Sequence, residues 1–232
     1  TAILPSLLEH HGRSFRTGPL PDLIRAVDVF GFQLATLDLR QNSAVHGRVV
    51  AELLKTAGVA ADYEKLEEDK RCELLLRELA HGRLLASPFA AYSDETRREL
   101  KTLAAAAEAK KRHGPDSIRN YIISNTTAVS DLLEVYLLLK EVGLFRPGPQ
   151  PATEIFSEPL FETIGALRAA PETMKRYLEL PMTDASVRRF ADDGDRQRRA
   201  AVVEQVAQAA PRRDLVVHQQ DAQRRFRHGK PP

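Results

Sequence analysis

Three short strand-like runs, each followed by residues with helical spacing, set the narrowest limit on what this chain can fold into. LATLDLR (34–40) alternates Leu with Thr or Asp, as a strand does. NYIIS (120–124) is short, β-branched and aromatic, and EIFSEPLFE (154–162) reads as a strand interrupted by Pro159. Strands that alternate with helices pair in parallel through crossovers, and three are too few to close a (β/α)8 barrel. The expectation is an α/β fold, predominantly helical, forming a partial (β/α)8-type barrel with inserted helices. No repeat of 20–50 residues is visible.

The helical stretches carry their own punctuation. PDLIRAVDVFG (21–31) opens on Pro and stops at Gly, with Leu23, Ile24, Val27 and Phe30 on one stripe. Ser43 is placed to cap a helix whose apolar positions are Val45, Val49, Val50, Leu53 and Leu54 and which ends at Gly58. A charged helix is expected over 63–79, with Leu66, Leu74, Leu75 and Leu79 as its buried stripe. Ser93 can cap the next, which starts acidic, ends basic and stops at Gly114, the order the helix dipole favours. AVSDLLEVYLLLKEVG (128–143) is apolar nearly all round and belongs in the interior. RPGPQP (146–151) is a loop, and helix resumes over 163–180 with a break near Pro171.

Composition excludes some classes. With 43% hydrophobic and 28% charged residues over 232 positions, the chain reads as globular. The single cysteine, Cys72, permits no internal disulfide, suits a reducing compartment such as the cytoplasm, and reads as a buried, inert thiol in the apolar half of a helix. No apolar run approaches membrane-spanning length, and no signal peptide is recognisable at the start. The chain opens on Thr1, which suggests that it begins inside a longer one. His81, His113 and the pair His10–His11 lack metal-ligand spacing, and His46, on a helix beside a strand end, reads as structural or solvent-facing.

In parallel α/β folds, ligands gather at the carboxyl ends of the strands. Here those ends carry Arg40–Gln41–Asn42–Ser43, Ser124–Asn125–Thr126–Thr127 and Phe161–Glu162–Thr163. A guanidinium suits bidentate binding of phosphate or carboxylate, and a carboxylate suits a hard cation such as Mg²⁺. Each has a plainer reading: Arg40 paired with a structural carboxylate, Glu162 as an acid at a helix start. The residues alone leave these alternatives open.

Three segments then carry a family resemblance. VDVFGFQLATLDLRQNSAVH (27–46), NYIISNTTAVSDLLEVYLLLKEVGL (120–144) and EPLFETIGALRAAPETM (158–174) resemble, in order, segments of phosphoenolpyruvate carboxylase, and the similarity runs over about 20–181. The resemblance implies that Arg40 binds substrate and that Glu162 is a ligand of Mg²⁺ or Mn²⁺. It implies the carboxylation of phosphoenolpyruvate with bicarbonate to oxaloacetate and phosphate, in a cytoplasmic enzyme that assembles as a homotetramer. The alternative is a catalytically inactive, truncated helical interaction module. Family motifs are also missing. The T-A-H-P-T segment with the catalytic His is absent, so no catalytic residue is assigned, and the G-Y-S-D-S-N-K-D segment and the Gly/Arg-rich loop do not occur. Gln33, Gly47, Asn125 and the pair Ser157–Glu158 depart from the family's usual His, Glu, Met and Ile-Val.

The chain divides at Pro181. Residues 1–181 form the barrel segment, and 182–232 form an Arg-rich tail, read as frameshifted or disordered. From Thr183 onward there are eleven basic and seven acidic residues, a net +4, while the 23 basic and 25 acidic residues before it give −2. Basic residues interleaved with acids, with few aromatics, argue against the other reading of the tail, a nucleic-acid-binding arm, which would bind with steep salt dependence.

Overall fold

The structure, a computed structural model, describes residues 19–30, 35–149 and 151–183. The tail beyond Thr183, His10–His11 and Gln33 lie outside them. Helix α1 spans Pro19–Phe30. Strand β1 (Leu37–Asn42) leads into α2 (Ser43–Thr56). A 3₁₀ turn at Tyr63–Lys65 precedes α3 (Glu68–Leu79), and α4 spans Asp94–His113. Strand β2 (Ile118–Ser124) leads into α5 (Val129–Glu141). A two-residue pair, β3 (Phe145–Arg146) and β4 (Ala152–Thr153), closes the Pro-rich loop antiparallel. Strand β5 (Phe156–Pro159) and α6 (Ile164–Leu178) complete the described chain.

The three main strands form one parallel sheet in the order β1-β2-β5. The expected α/β character and parallel pairing are present, with most residues helical. Register sets the two faces. Leu39, Tyr121 and Ser157 lie side by side with Ile123 on the face toward the helices, where Tyr121, Ile123 and Ser157 are buried. Asp38, Arg40, Asn120, Ile122, Ser124 and Glu158 point the other way and are exposed or half-buried. Of these six, only Ile122 is apolar, which is why the runs did not read as uniformly apolar buried strands.

Helix α5 is the centre of the core. Eleven of its thirteen residues are buried, as its all-round apolar sequence requires, and it packs against α2, α3, α4, α6 and β5. Leu132, Leu133, Val135, Leu137 and Leu139 are fully enclosed together with Val49, Val50, Leu53 and Leu54 of α2 and Leu75 of α3. Each such side chain contributes roughly 1.5–3 kcal/mol by leaving water.

Several expected boundaries shift, each for a local reason. The cap of α2 is Asn42, whose Oδ1 accepts from Ala44 N–H at 2.9 Å; Ser43 instead turns its hydroxyl to the Asn125 carbonyl at 2.8 Å. The charged helix starts at Glu68 rather than Tyr63, because 63–65 close a separate 3₁₀ turn pinned by Arg71, which donates to Leu66 O and Glu64 O. Helix α6 runs through Pro171 without a break. Ser93 does cap α4, and Gly114 ends it with φ +96°.

Candidate active site

The carboxyl edge of the sheet is held together by one short stretch of backbone. Strand β2 ends at Ser124, and Asn125 follows with φ +57°, the left-handed region that Asn tolerates better than most side chains. That turn directs three groups at once. Arg40 Nε donates to Ser124 Oγ at 3.0 Å, Asn125 N–H donates to Glu162 Oε2 at 2.6 Å, and Asn125 O accepts from Ser43. Beside it, Thr126 N–H donates to Leu160 O at 3.0 Å, and Leu160 N–H to Ile123 O at 2.9 Å. These bonds carry the β2–β5 pairing past Pro159, which ends β5 because it has no N–H to give.

Arg40 and Glu162, the two residues singled out from sequence, are therefore brought to one edge, tied to consecutive residues of the central strand. Both are exposed. Arg40 makes its side-chain bond through Nε to a hydroxyl rather than a carboxylate, and Glu162 stands at a helix start, as its plainer reading has it. Glu162 accepts a backbone N–H from the neighbouring junction, while the start of α6 is capped by Thr163, whose Oγ1 accepts from Ala166 N–H at 3.0 Å.

The surroundings set the charge of the edge. Asp38 accepts from Asn120 Nδ2 at 3.1 Å, and half-buried Glu158 has its pKa raised by burial and by the negative charge of Asp38. Arg40 is thus the cation between acids below it on the sheet and Glu162 above. Asp131 Oδ2 accepts from the N–H groups of Thr127 (2.7 Å) and Ala128 (3.1 Å) and closes the start of α5. Among the described residues, no three His, Cys, Asp or Glu side chains are grouped to hold a metal ion. Glu162 offers one carboxylate, with one oxygen already bonded, whereas a hard divalent cation takes about six oxygens. The described residues do not fit a complete metal site.

His46 is fully buried. Its Nε2 lies 3.0 Å from Tyr121 Oη, the rings meet edge-on at 5.2 Å, and burial lowers its pKa to about 4. It is a structural, neutral histidine, the first of its two sequence readings. Cys72 is buried, 3.2 Å from Glu68 Oε1, and burial raises its pKa to about 12, so it is a poor nucleophile. Sequence reasoning passed over Glu134, in the middle of α5. It is 1% exposed, accepts from Tyr63 Oη at 2.8 Å, and has its pKa raised to about 8 by burial. A carboxylate inside an otherwise apolar helix was the signal that could have found it.

No described helix is long and apolar enough to cross a membrane. The family model described as phosphoenolpyruvate carboxylase matches residues 1–200. A phosphoenolpyruvate carboxylase of Aromatoleum aromaticum is 53% identical over 176 residues, covering 76% of this chain and 19% of the relative. That of Ralstonia nicotianae is 49% identical over 187 residues (79% and 19%), and that of Caulobacter vibrioides 43% over 183 (79% and 20%). The chain spans about one fifth of the length of these relatives. At this identity and extent, the chain belongs to the phosphoenolpyruvate carboxylase family.

Proposed function

We propose that this chain supplies one side of the active site of a phosphoenolpyruvate carboxylase, the enzyme that joins phosphoenolpyruvate and bicarbonate to give oxaloacetate and phosphate. The observation that carries the reading is the convergence of Arg40 and Glu162, 122 positions apart in sequence, on Ser124 and Asn125. In this reading the Arg40 guanidinium neutralises and orients the phosphoryl group, with Ser124 fixing its Nε so that the outer nitrogens face the substrate. Glu162 is one carboxylate of an Mg²⁺ or Mn²⁺ site whose other ligands lie outside the described residues.

The sheet is then an arc of a (β/α)8-type barrel, with Asp38, Arg40, Asn120, Ser124 and Glu158 facing the lumen. Residues 1–181 are the barrel segment, and 182–232 are an Arg-rich tail of shifted reading frame that does not bind nucleic acid. The complete enzyme is a cytoplasmic homotetramer. Resequencing the source DNA from the codon of Leu180 tests the tail: another frame encoding G-Y-S-D-S-N-K-D within about thirty codons supports the reading, and its absence removes it.

Catalytic groups act as a unit, so this chain assayed alone with phosphoenolpyruvate, bicarbonate and Mg²⁺ is expected to form oxaloacetate no faster than the blank. The informative experiment exchanges residues 35–181 into the complete Aromatoleum enzyme. The exchange should retain activity. Arg40→Ala in it should lower kcat/KM by roughly 10²–10³-fold, and Glu162→Gln should raise the Mn²⁺ needed for half-activity by more than about 10-fold. Unchanged kinetics in both variants would discard the assignment. An exchange that folds but never turns over would favour the inactive interaction module instead.

A further inference from the structure

The ladder that pairs β1 with β2 runs as far as Asn42 opposite Ser124, and one step more would set Ser43 opposite Asn125. Ser43 is the first residue of α2, so its main chain leaves the sheet and its side chain makes the next connection instead. The hydroxyl of this buried residue donates to Asn125 O at 2.8 Å. It is free to do so because Asn42 already caps the helix, accepting from Ala44 N–H.

The residue it holds is an unusual one. Asn125, at φ +57°, is the only non-glycine residue with positive φ among the described residues, a conformation that persists where the surroundings enforce it. Its N–H carries the Glu162 carboxylate at 2.6 Å. Peptide units are planar, so between that N–H and the carbonyl of the same residue lie only two soft dihedrals. A bond that fixes the carbonyl therefore limits where the N–H can point.

The peptide unit from 125 to 126 is held on both edges. Its carbonyl accepts from Ser43, and its N–H, that of Thr126, donates to Leu160 O at 3.0 Å. Leu160 stands two residues before Glu162 on the same junction, so its bond cannot alone place Glu162 against Arg40. Ser43 stands three residues after Arg40, at the end of the strand that carries it, and joins the two sides.

We propose that Ser43 is a positioning residue for the site. By holding the Asn125 carbonyl, it fixes the N–H on which the Glu162 carboxylate rests, and so sets that carboxylate against Arg40. The role rests on the reading of Arg40 and Glu162 given under the proposed function. Ser43 acts through Asn125 and is not itself a catalytic residue.

Two measurements test it. In the full 232-residue chain, Ser43→Ala should speed hydrogen exchange in peptides containing the Asn125 amide by roughly threefold or more, and leave those of α4 unchanged. In the complete-enzyme exchange of residues 35–181, Ser43→Ala should lower kcat/KM for phosphoenolpyruvate by roughly 10-fold. Ser93→Ala, which removes the cap of α4, controls for lost stability and should leave kcat/KM unchanged. Because Ser43 works through Glu162, adding Ser43→Ala to Glu162→Gln should lower kcat/KM by less than about twofold further. Should the alanine variant not fold, Ser43→Cys, which retains a weak donor, serves in both measurements with the same signs. Unchanged exchange at the Asn125 amide, a kcat/KM loss matched by Ser93→Ala, or full additivity with Glu162→Gln would each overturn the proposal. Parental kcat/KM in Glu162→Gln alone would strike the reading of the site instead, and exchange at Asn125 would still decide whether Ser43 holds the junction.

Discussion

Two buried titratable side chains give this chain a pH dependence of opposite signs. Glu134, raised from 4.5 to about 8, holds a proton in the folded state that the unfolded chain has released. The folded state therefore loses stability as pH rises from 4.5 toward 8. His46, lowered from 6.5 to about 4, is neutral when folded but charged when unfolded in that interval. Its contribution is present above pH 6.5 and is lost as pH falls through the interval toward 4. The two slopes oppose one another below 6.5, and the Glu134 slope continues above it. Urea unfolding should accordingly show stability falling by about 1–2 kcal/mol between pH 6.5 and 8, a fall that Glu134→Gln removes; a flat profile in the parent would contradict it. At this scale the sequence was uneven as a guide. That Arg40 and Glu162 lie at one sheet edge was legible from their strand-end positions. Glu134 was not, because its partner Tyr63 reaches it from another element, 71 positions away.

At the scale of elements, type was easier to read than boundary. The all-round apolar α5 and the acid-first, base-last α4 are determined by their own sequences, so their existence followed directly. The start of α2 did not, because Asn42 and Ser43 are both good caps and the competition is decided by Asn125 O, 82 positions away, which takes the Ser43 hydroxyl. The cap of α4 is reinforced from outside as well. Glu52 accepts from Ser93 N–H at 2.8 Å, from Ser93 Oγ at 2.6 Å and from Thr96 Oγ1 at 2.5 Å. Ser93→Ala should cost about 1–2 kcal/mol, and its effect should be non-additive with Glu52→Gln in a double-mutant cycle. Additivity would mean that the two act separately. In the core, Leu137→Ala should cost about 2–5 kcal/mol, since α5 is enclosed by other helices and the cavity cannot collapse.

At the scale of the whole molecule, apolar surface remains where the sheet and helices end. Leu37 on edge strand β1 is 67% exposed, Phe89 97%, and Ile164 and Leu167 on α6 are 72% and 58%. β1 and β5 are both edges of the described sheet, with backbone groups open to further pairing. The chain in isolation is expected to associate, seen as concentration-dependent mass in light scattering, and Ile164→Lys with Leu167→Glu should reduce it. A sharp monomer at all concentrations would contradict this. That the strands pair in parallel was readable from their alternation with helices; what lies beyond either edge was not. Finally, consider that three loop junctions, after β1, β2 and β5, meet on the peptide groups of Asn125 and the hydroxyl before it. Two of those three ties use main-chain atoms, which every amino acid possesses. The side chain at 125 is therefore free to drift among residues that accept a left-handed backbone, and the separation between a guanidinium and a carboxylate 122 positions apart would be inherited unchanged through such drift.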